Sequence, residues 1–511
     1  MKVAIAQTNS KIGDFNANVE KIKGVLSQAN ADVITIFPEL AVSGGPLLDM
    51  VSYNDVCKGA SQAAERLCEE GKSCIVGMPV SDGVNVFNSL AFIVKGKPTD
   101  VATKKNLTCF DRSFACGNGF EITQYEDKTI AFGFETDFED FVAKGQKADV
   151  VICVANSVFE VNKQQQTINR MIPLVRKAGI KFIYVNRCGG EGRFVFNGGS
   201  FVLNEKGILC DELSLLDEQT KFLDTETLKT FTQNPLCKIE KMYKAIQIGI
   251  RDYFAKNGVA KAVIGLSGGI DSALVAALAV DALGKENVIG VLMPSEFSTD
   301  HSVKDALDLA NNLCIKHYLI PIKPLYDSAL QSLDEIFANT QRGLAEENIQ
   351  ARLRCMVLMG VANKTGSLLL NTSNKSEAAV GYGTLYGDTS GGIGAIGDMF
   401  KEEIWQMARW MNRNGVVIPE NSITKEPSAE LSYGQKDTDS LPDYAVLDKI
   451  LALHLESRMS KEQIVAAGYD DKTTEKVLQM VKRNEWKRHQ CCPCIKLSSS
   501  TFGIDRLMPI S

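Results

Sequence analysis

A glycine-rich loop near the middle of the sequence has the composition of an anion-binding site. It connects the strand-like run KAVIG to the helix-like run ALVAALAVDALG. Glycines let the backbone approach an anion, and a helix N-terminus adds free N–H groups and the positive end of its dipole. No lysine follows the second glycine, so the loop is not of the GxxxxGK[ST] type. The pattern predicts a phosphate site, with a serine-capped glycine turn as the alternative. Its residues are Ser267, Gly268, Gly269, Ile270, Asp271 and Ser272.

A second candidate position lies in the first half of the chain, in the stretch IAFGFETDFED. Five apolar residues are followed abruptly by Glu135, Thr136 and Asp137. This pattern predicts a strand that ends at Glu135, and a strand often presents such a terminal side chain in a pocket. The stretch alone leaves three interpretations of Glu135: a catalytic group, an ordinary surface acid, or a replacement for another residue.

The overall composition is that of an ordinary globular protein. The chain has 511 residues, which is too long for one compact core and predicts at least two domains. A net charge of -6 gives no reason to expect nucleic acid or a membrane surface as a partner. No apolar run reaches the length of a membrane helix, and the start MKVAIAQTNS lacks the apolar core of a signal peptide. We therefore expect a cytoplasmic protein.

The elements that must position these residues follow an α/β pattern with one break. Helical spacing over residues 18–29 and 162–178 separates several strand-like runs of the first half. The stretch TQNPLCK breaks the pattern, with Asn234-Pro235 as a turn signal. We predict one layered α/β domain over residues 1–235 and a second, with parallel strands, over residues 236–511. The strand-like runs of the first half are KVAIAQ, ADVITIF, KSCIVGMPV, FNSLAFIV, TIAFGF, ADVVICVAN, KFIYVN and SFVLNEKG.

The sequence contains fourteen cysteines, which would be many for disulfides in a cytosolic protein, because thiols stay reduced there. Most stand alone in apolar runs, as Cys74, Cys153 and Cys314 do, which predicts small buried core residues. The group Cys491, Cys492 and Cys494 has His489 nearby, but no second pair stands at zinc spacing. We do not expect a metal site there.

The glycine-rich loop resembles the SGGxDS loop of ATP pyrophosphatases, and later motifs narrow the resemblance to NAD synthetases. The sequence contains EENIQARLR from Glu346, LLLNTSNKSE ending at Glu377, and GYGTLYGD ending at Asp388. These resemble the family patterns ENxQARxR, TxNKSE and GYxTLYGD. The runs PSAEL, QKDTDSLPDY and NEWKR agree in order toward the C-terminus. The resemblance spans residues 240–511 and implies a doubly wound ATP-pyrophosphatase domain.

The resemblance implies a reaction and a set of site residues. ATP would activate the carboxylate of deamido-NAD by adenylation, and ammonia would then displace AMP, with Mg²⁺ and lysines balancing the charge that builds up. By resemblance, Asp271 and Glu377 bind Mg²⁺. Additional ATP contacts would come from Thr372, Lys401 and Ser428, and the contacts to deamido-NAD from Asn348, Arg352, Glu377 and Lys487.

The first half resembles the nitrilase fold, an α-β-β-α sandwich that serves as the glutaminase of long NAD synthetases. That chemistry uses a cysteine thiolate, a glutamate base and a lysine that stabilises an oxyanion. Glu39 in FPELAVSG and Lys104 in KKNL match the last two, but AFGFETD places Glu135 at the nucleophile. Two neighbouring stretches also depart from the family, since LTCFDR replaces LPNYGVFDE and NSVF replaces SASPF. We expect Glu39 and Lys104 to be remnants, paired with each other or with Glu135.

Three functions remain open from the sequence. The first is an NAD synthetase that uses free ammonia and keeps a degenerate glutaminase domain. The second is a glutamine-dependent enzyme rescued by another thiol, for which Cys109, Cys116 and Cys153 are the candidates. The third is a non-catalytic nucleotide-binding regulator, against which the intact loop argues. By resemblance, the protein would form a homo-oligomer, either a dimer or an octamer.

Overall fold

The chain folds into two compact units, Met1–Leu236 and Cys237–Ser511. The structure is a computed structural model that describes residues 1–233 and 235–510. The turn predicted at Asn234-Pro235 therefore involves a residue, Asn234, that lies outside the described residues. Within the described ranges, no helix combines the length and the apolar character needed to cross a membrane.

In its described residues, 1–233 together with 235 and 236, the first unit contains fourteen strands and four α-helices. Its strands are β1 (Lys2–Gln7), β2 (Val33–Ile36), β3 (Ser73–Ser81), β4 (Val86–Val94), β5 (Lys97–Thr103), β6 (Glu121–Tyr125), β7 (Lys128–Phe134), β8 (Val150–Ala155), β9 (Lys181–Asn186), β10 (Cys188–Glu191), β11 (Phe194–Asn197), β12 (Phe201–Leu203), β13 (Leu209–Glu212) and β14 (Gln219–Asp224). Its helices are α1 (Phe15–Leu26), α2 (Asn54–Cys68), α3 (Phe138–Ala143) and α4 (Lys163–Ala178).

Two six-stranded sheets pack face to face in this unit and are covered by helices on both outer faces. The sheets have the orders β14-β1-β2-β3-β4-β5 and β13-β12-β9-β8-β7-β6. Side chains such as Ile5 and Phe132 meet in the core between them. Helices α1 and α2 bury residues such as Val19 on one outer face, and α3 and α4 bury residues such as Met171 on the other. The predicted α-β-β-α sandwich is therefore confirmed.

The second unit is built on one parallel sheet. Its strands are β15 (Lys261–Gly265), β16 (Val288–Leu292), β17 (Lys316–Leu319), β18 (Ser367–Asn371) and β19 (Ile393–Gly394). Its helices are α5 (Lys238–Lys256), α6 (Ile270–Leu283), α7 (Asp300–Asn312), α8 (Lys323–Ser332), α9 (Asp334–Phe337), α10 (Leu344–Thr365), α11 (Lys375–Val380), α12 (Lys401–Met411), α13 (Glu420–Thr424), α14 (Tyr444–Leu455), α15 (Lys461–Ala466), α16 (Asp471–Arg483) and α17 (Glu485–Arg488).

The strand order of this sheet, β17-β16-β15-β18-β19, reverses beside β15. All four neighbouring pairs are parallel. This is the predicted doubly wound arrangement, and it is confirmed. In such sheets, ligands bind beyond the carboxyl ends of the strands at the point where the order reverses. That point lies between β15, which leads into the glycine-rich loop, and β18, which leads into TSNKSE.

Local chemistry explains two differences between prediction and structure. Helix α1 begins at Phe15, three residues before the predicted start, because the side chain of Asp14 accepts a hydrogen bond from the backbone N–H of Ala17 and caps the helix. Cys314 was predicted to lie in the core, and this was wrong. It is exposed and takes a positive φ of 52° in the turn before β17.

Candidate functional site

A cavity of about 320 Å³ lies at the carboxyl ends of β15, β16 and β18. It contains most of the residues that the sequence assigned to ATP. Gly268 is the exception in the loop, since it faces Ser302 rather than the cavity. The predicted ATP-site residues that line the cavity are Ser267, Gly269, Ile270, Asp271, Ser272, Thr372, Lys401 and Ser428. Glu377, predicted to contact substrate and metal, lines it as well.

The glycine-rich loop is held open by its own serines and by a close backbone contact. Ser272 Oγ donates to the carbonyl of Gly269 at 3.1 Å, and the N–H of Gly269 donates to Ser267 Oγ at 3.2 Å. Gly268 has a φ of +78°, and a Cβ there would lie 2.2 Å from the carbonyl oxygen of Ser302. The loop leads into α6, which has 14 residues. The first residues of α6, Ile270, Asp271 and Ser272, line the cavity, so the positive end of the helix dipole lies beside it, as an anion site requires.

A buried lysine joins the two acids that the sequence predicted as metal ligands. Lys401 Nζ lies 2.5 Å from Asp271 Oδ2 and 3.4 Å from Glu377 Oε1. Asn374 Nδ2 donates to Asp271 Oδ1 at 3.0 Å, and Asn374 Oδ1 accepts from the backbone N–H of Glu377 at 2.9 Å. The start of α11 thus fixes both acids against the start of α6. Burial opposes the charged form of Lys401, but Asp271 and Glu377 outweigh it and raise the lysine's pKa.

Asp437 is a third acid of this site that sequence reasoning missed. It lines the cavity and accepts hydrogen bonds from Tyr444 at 2.9 Å and Tyr382 at 3.1 Å. Burial, together with the charges of Asp271 and Asp437, raises the pKa of Glu377 to about 8 although Lys401 opposes the shift. Three acids therefore share one lysine, and the cluster has an excess of negative charge. Asp437 lay inside QKDTDSLPDY, where its position in the motif was the available signal.

Two further cations at the cavity were not predicted. Lys425 Nζ lies 3.0 Å from Ser302 Oγ and 3.5 Å from Asp305 Oδ2. Arg354, the last residue of ENIQARLR, donates from Nε to the carbonyl of Met293 at 3.2 Å. Burial lowers the pKa of Arg354 to about 10. Both cations line the cavity beside the glycine-rich loop, where anionic phosphates would be stabilised.

The remaining residues predicted to bind deamido-NAD all make hydrogen bonds with one loop, residues 381–388. Asn348 Oδ1 accepts from Thr384 Oγ1 at 2.8 Å, and Arg352 Nε donates to the carbonyl of Leu385 at 3.2 Å. Lys487 Nζ donates to the carbonyls of Gly381 and Gly383 at 2.9 and 3.0 Å. Asn348, Arg352 and Lys487 share this loop but are not among the residues that line the cavity. Sequence spacing alone did not place them together.

In the first unit, Glu39 and Lys104 form a buried pair. Lys104 Nζ lies 2.8 Å from Glu39 Oε1 and 2.8 Å from Asp111 Oδ2. Asn88 Nδ2 bridges the same two acids at 2.7 and 2.8 Å. Burial raises the pKa of Glu39, whereas Lys104 and the Thr108 donors outweigh burial at Asp111 and hold its pKa below the usual range. Each charge in this cluster has partners, as buried charges require.

The loop that carries Glu39 rests directly on strand β3. A Cβ at Gly77 would lie 2.3 Å from the backbone nitrogen of Leu40 and 2.5 Å from the carbonyl oxygen of Pro38. Only glycine allows this approach. The position of Glu39 is therefore set by backbone packing as well as by its ion pair.

Glu135 lies at the end of β7, as predicted, but its partner differs from the one proposed. The residue opens a short 3-10 turn, Glu135–Asp137. Its carboxylate forms an ion pair with Arg170 of α4, and the exposed fraction of its side chain is 16%. A Lys104–Glu135 pair is replaced by this contact, because Lys104 is already held by Glu39 and Asp111 and lies over the ring of Phe134 at 5.5 Å.

The three cysteines considered as alternative nucleophiles occupy different environments. Cys153 is fully buried on β8, in the cluster that packs against α3 and α4, and burial raises the pKa of its thiol well above the usual value. Cys109 and Cys116 are exposed. Cys116 Sγ lies 3.2 Å from the carbonyl oxygen of Lys105. Reactive cysteines have a low thiol pKa. The raised thiol pKa of Cys153 therefore argues against a role as nucleophile.

Among residues 1–233 and 235–510, no three His, Cys, Asp or Glu side chains come together as a metal site. This includes the group Cys491, Cys492 and Cys494. Mg²⁺ in nucleotide sites needs only one or two protein carboxylates, since phosphate oxygens and water complete its shell. Asp271 and Glu377 fit that requirement, because both carboxyl groups line the cavity beside the glycine-rich loop.

Comparison with known proteins finds NAD synthases along the second unit and glutamine-dependent NAD(+) synthetases along the whole chain. A family model described as NAD synthase matches residues 242–491. Glutamine-dependent NAD(+) synthetases from Synechocystis sp. and Thermotoga maritima are 36% and 34% identical to this chain, and each match covers 100% of it and 98% of the relative. The structure of glutamine-dependent NAD+ synthetase from Acinetobacter baumannii in complex with ADP matches with a TM-score of 0.79 and 32% identity, covering 100% of this chain and 98% of that one.

Proposed function

The chain belongs to the family of glutamine-dependent NAD(+) synthetases, which are ligases, and on that premise we propose that it converts deamido-NAD to NAD with ATP. The observation that carries the proposal is the cavity at the switch point, where the glycine-rich loop meets Asp271, Glu377 and Lys401. We assign the reaction to residues 236–511, and we propose that residues 1–235 are a nitrilase-like domain that is degenerate as a glutaminase.

The site residues divide the chemistry among them. A carboxylate oxygen of deamido-NAD attacks the α-phosphorus of ATP, and pyrophosphate leaves. Ammonia then attacks the activated carbonyl carbon, AMP leaves, and a proton is lost. The N–H groups of the loop hold the departing pyrophosphate, and Lys401 balances its charge. Electrostatic stabilisation of this kind is usually the largest contribution to lowering the activation barrier. Bound between Asp271 and Glu377, Mg²⁺ would neutralise further charge on the phosphates.

For the substrate side, we propose that a second copy of the chain completes the deamido-NAD site. The residues assigned to this substrate surround the loop at residues 381–388, where Tyr386 is 65% exposed. Helix α10 also presents apolar side chains to solvent, since Met356 is 54% and Leu344 71% exposed. Exposed apolar faces mark association surfaces. Sedimentation of the purified protein tests this, and a strictly monomeric, active enzyme contradicts it.

For the nitrogen source, we propose free ammonia. The supporting observation is Glu135, which stands where the family resemblance requires a cysteine and is neutralised by Arg170. A carboxylate held in an ion pair is a poor nucleophile toward an amide, and its attack would produce an anhydride. Glu39 and Asp111 are likewise engaged, because each forms an ion pair with Lys104. The first unit then serves as a scaffold.

The second candidate is glutamine as the nitrogen donor, and the names of the relatives favour it. One experiment separates the two. The purified protein is incubated with deamido-NAD, ATP and Mg²⁺, with either ammonium or glutamine. NAD formation with ammonium alone supports the proposal, and equal rates with glutamine overturn it. Absence of NAD with both donors would favour a nucleotide-binding regulator.

We also propose the cytoplasm as the location of the reaction. The thiols of Cys109, Cys116 and Cys237 are exposed. Exposed thiols remain reduced in the cytosol, whereas oxidising compartments convert them to disulfides. Localisation of a fluorescent fusion in cells tests the assignment, and an exported protein would contradict it.

A further inference from the structure

The segment at residues 493–506, here called the tail segment, extends the parallel sheet of the second unit. The N–H of Gly394 in β19 donates to the carbonyl of Pro493 at 2.8 Å, and the N–H of Ile495 donates to the carbonyl of Gly394 at 3.1 Å. Ile495 and Leu497 are completely buried. A Cβ at Gly397 would lie 2.6 Å from Cys494 Cβ. The tail segment is therefore packed as closely as a core element, although it follows the range matched by the family model.

Asp398 receives its hydrogen bonds from the tail segment. The backbone N–H groups of Leu497 and Ser498 each donate to Asp398 Oδ2 at 2.7 Å, and Thr501 Oγ1 donates to the same oxygen at 2.7 Å. Asp398 is 2% exposed. A buried carboxylate needs such donors, because without them its charged form pays the full cost of desolvation.

Lys375 completes the same cluster from α11. Its Nζ lies 3.1 Å from Asp398 Oδ1, 3.0 Å from Glu456 Oε1 and 2.7 Å from Ser498 Oγ. Its side chain is 0% exposed. Lys375 and Asp398 therefore form a buried ion pair whose remaining hydrogen bonds are made with the tail segment and with Glu456, which follows α14.

This pair lies between the two segments that carry the acid and the lysine of the nucleotide site. Lys375 stands two residues before Glu377, and Asp398 stands three residues before Lys401. The segments are also joined by the N–H of Lys375, which donates to the carbonyl of Met399 at 2.9 Å. The N–H of Lys401 donates to Ser376 Oγ at 3.0 Å. A shift between these segments changes the separation of the Lys401 ammonium and the Glu377 carboxylate.

We propose that the tail segment is a positioning element of the nucleotide site, and that Asp398 and Lys375 are the positioning residues through which it acts on Glu377 and Lys401. The inference rests on the proposed function, since it concerns the same site. It also gives a role to the stretch after Cys491 and Cys492, which the family resemblance left unassigned.

Thr501→Val in the full chain tests the proposal, because it removes one buried hydroxyl and keeps the side-chain volume. We expect kcat to fall by about tenfold, as for other supporting hydrogen bonds at catalytic centres. The KM for deamido-NAD changes less than kcat, since three of its four predicted contacts, Asn348, Arg352 and Lys487, are held by a different loop. Thr501→Ser retains the hydroxyl and restores kcat.

Ser500→Ala is the matched control. Ser500 is also buried in the tail segment, and its hydroxyl makes no hydrogen bond to Asp398 or Lys375 in the described part of the chain. Thermal unfolding of each variant separates folding from positioning. A Thr501→Val enzyme with wild-type kcat and only a lower unfolding temperature overturns the inference, as does equal loss of kcat in Ser500→Ala.

Failure of the proposed function would be visible separately. If the wild-type protein forms no NAD, the reaction assignment is wrong, and calorimetric binding of a non-hydrolysable ATP analogue then tests the tail segment. Weaker binding by Thr501→Val than by Ser500→Ala supports positioning, and equal binding overturns it.

Discussion

Each unit of the molecule buries a lysine between acidic side chains, but the two lysines have different surroundings. Lys104 Nζ lies 2.8 Å from both Glu39 and Asp111, and Asn88 bridges those acids. Lys401 Nζ lies 2.5 Å from Asp271 and 3.4 Å from Glu377. Those two acids also line a cavity of about 320 Å³.

The difference lies in where the excess negative charge goes. In the first unit, an amide and backbone donors satisfy the acids from within the protein. In the second unit, Asp437 adds a third acid, and the pKa of Glu377 rises to about 8. The three acids, Asp271, Glu377 and Asp437, line the cavity, which has room for a cation and for phosphates. The same residue types therefore form a closed, internally paired cluster in one place and line an open cavity in the other.

The largest expected effect comes from Lys401→Met. We expect the rate of ammonium-dependent NAD formation to fall by about 10³-fold, because this lysine balances charge on the departing pyrophosphate. Steady-state rates at saturating ATP measure the effect. Lys323→Met, which removes an exposed lysine of α8, is the control and should keep the wild-type rate. A Lys401→Met enzyme that keeps more than a tenth of the wild-type rate would contradict the contrast between the two lysines, because Lys401 would then not take part in the reaction.

Lys104→Met should act on stability alone. It leaves two buried carboxylates without their cation, at a cost of about 3–5 kcal/mol in the free energy of unfolding. Denaturant unfolding measures this cost, and ammonium-dependent rates below the transition should be unchanged. Lys105→Met removes an exposed pair with Asp140 and should cost less than about 1 kcal/mol. Loss of the ammonium-dependent rate in folded Lys104→Met would give the first unit a role in the chemistry.

Asp448 provides a pH dependence within the second unit. Burial raises its pKa to about 6, although Ser376 and the N–H of Glu402 donate to it. Its protonated form is therefore favoured by folding, so its contribution to stability is present at pH 4 and is lost as the pH rises through 6. Unfolding free energies of wild type minus Asp448→Asn should decrease between pH 4 and 6 and be flat above 7. A difference that increases over the same range contradicts the assignment.

The smallest expected effect is that of Glu135→Cys on glutamine use. A thiol at this position lacks the surrounding pocket, since LTCFDR and NSVF replace the family's LPNYGVFDE and SASPF. Glutamine-dependent NAD formation should remain below about a hundredth of the ammonium rate, as expected when supporting groups are missing. Glu135→Ala is the control. Full recovery by the single change would show that these departures are harmless.

Local sequence was sufficient where a function depends on consecutive residues. The loop from Ser267 to Ser272, the strand before it and α6 after it were predicted together, because glycine conformation and helix capping act within a few residues. Most strands of the first unit were also predicted from runs of Val, Ile and Phe. The missed strands are β5, β6, β10, β11, β13 and β14. Four of them, β5, β6, β13 and β14, form the edges of the two large sheets, and edge sequences such as EITQY and QTKFLD are largely polar. Strands β10 and β11 form a separate two-stranded sheet.

Contacts between distant segments could not be predicted. Arg170, the partner of Glu135, lies one helix later, and no periodicity links the two positions. Asp437 is brought to Glu377 by the folding of α14 and its preceding loop. The hydrogen bond from Thr501 to Asp398 joins residues 103 positions apart. Such pairs are set by tertiary packing, which a single sequence does not reveal.

Gly77 carries a consequence for how the first unit can change over evolutionary time. Any side chain there would collide with the loop around Glu39. Substitution of Gly77 is therefore restricted whether or not the nearby acid has a catalytic task. A lineage that lost glutaminase activity would still retain the residues that packing requires, whereas positions without such a constraint would be free to diverge. Retained identity at Gly77 therefore reflects a constraint of folding, whether or not the reaction is kept.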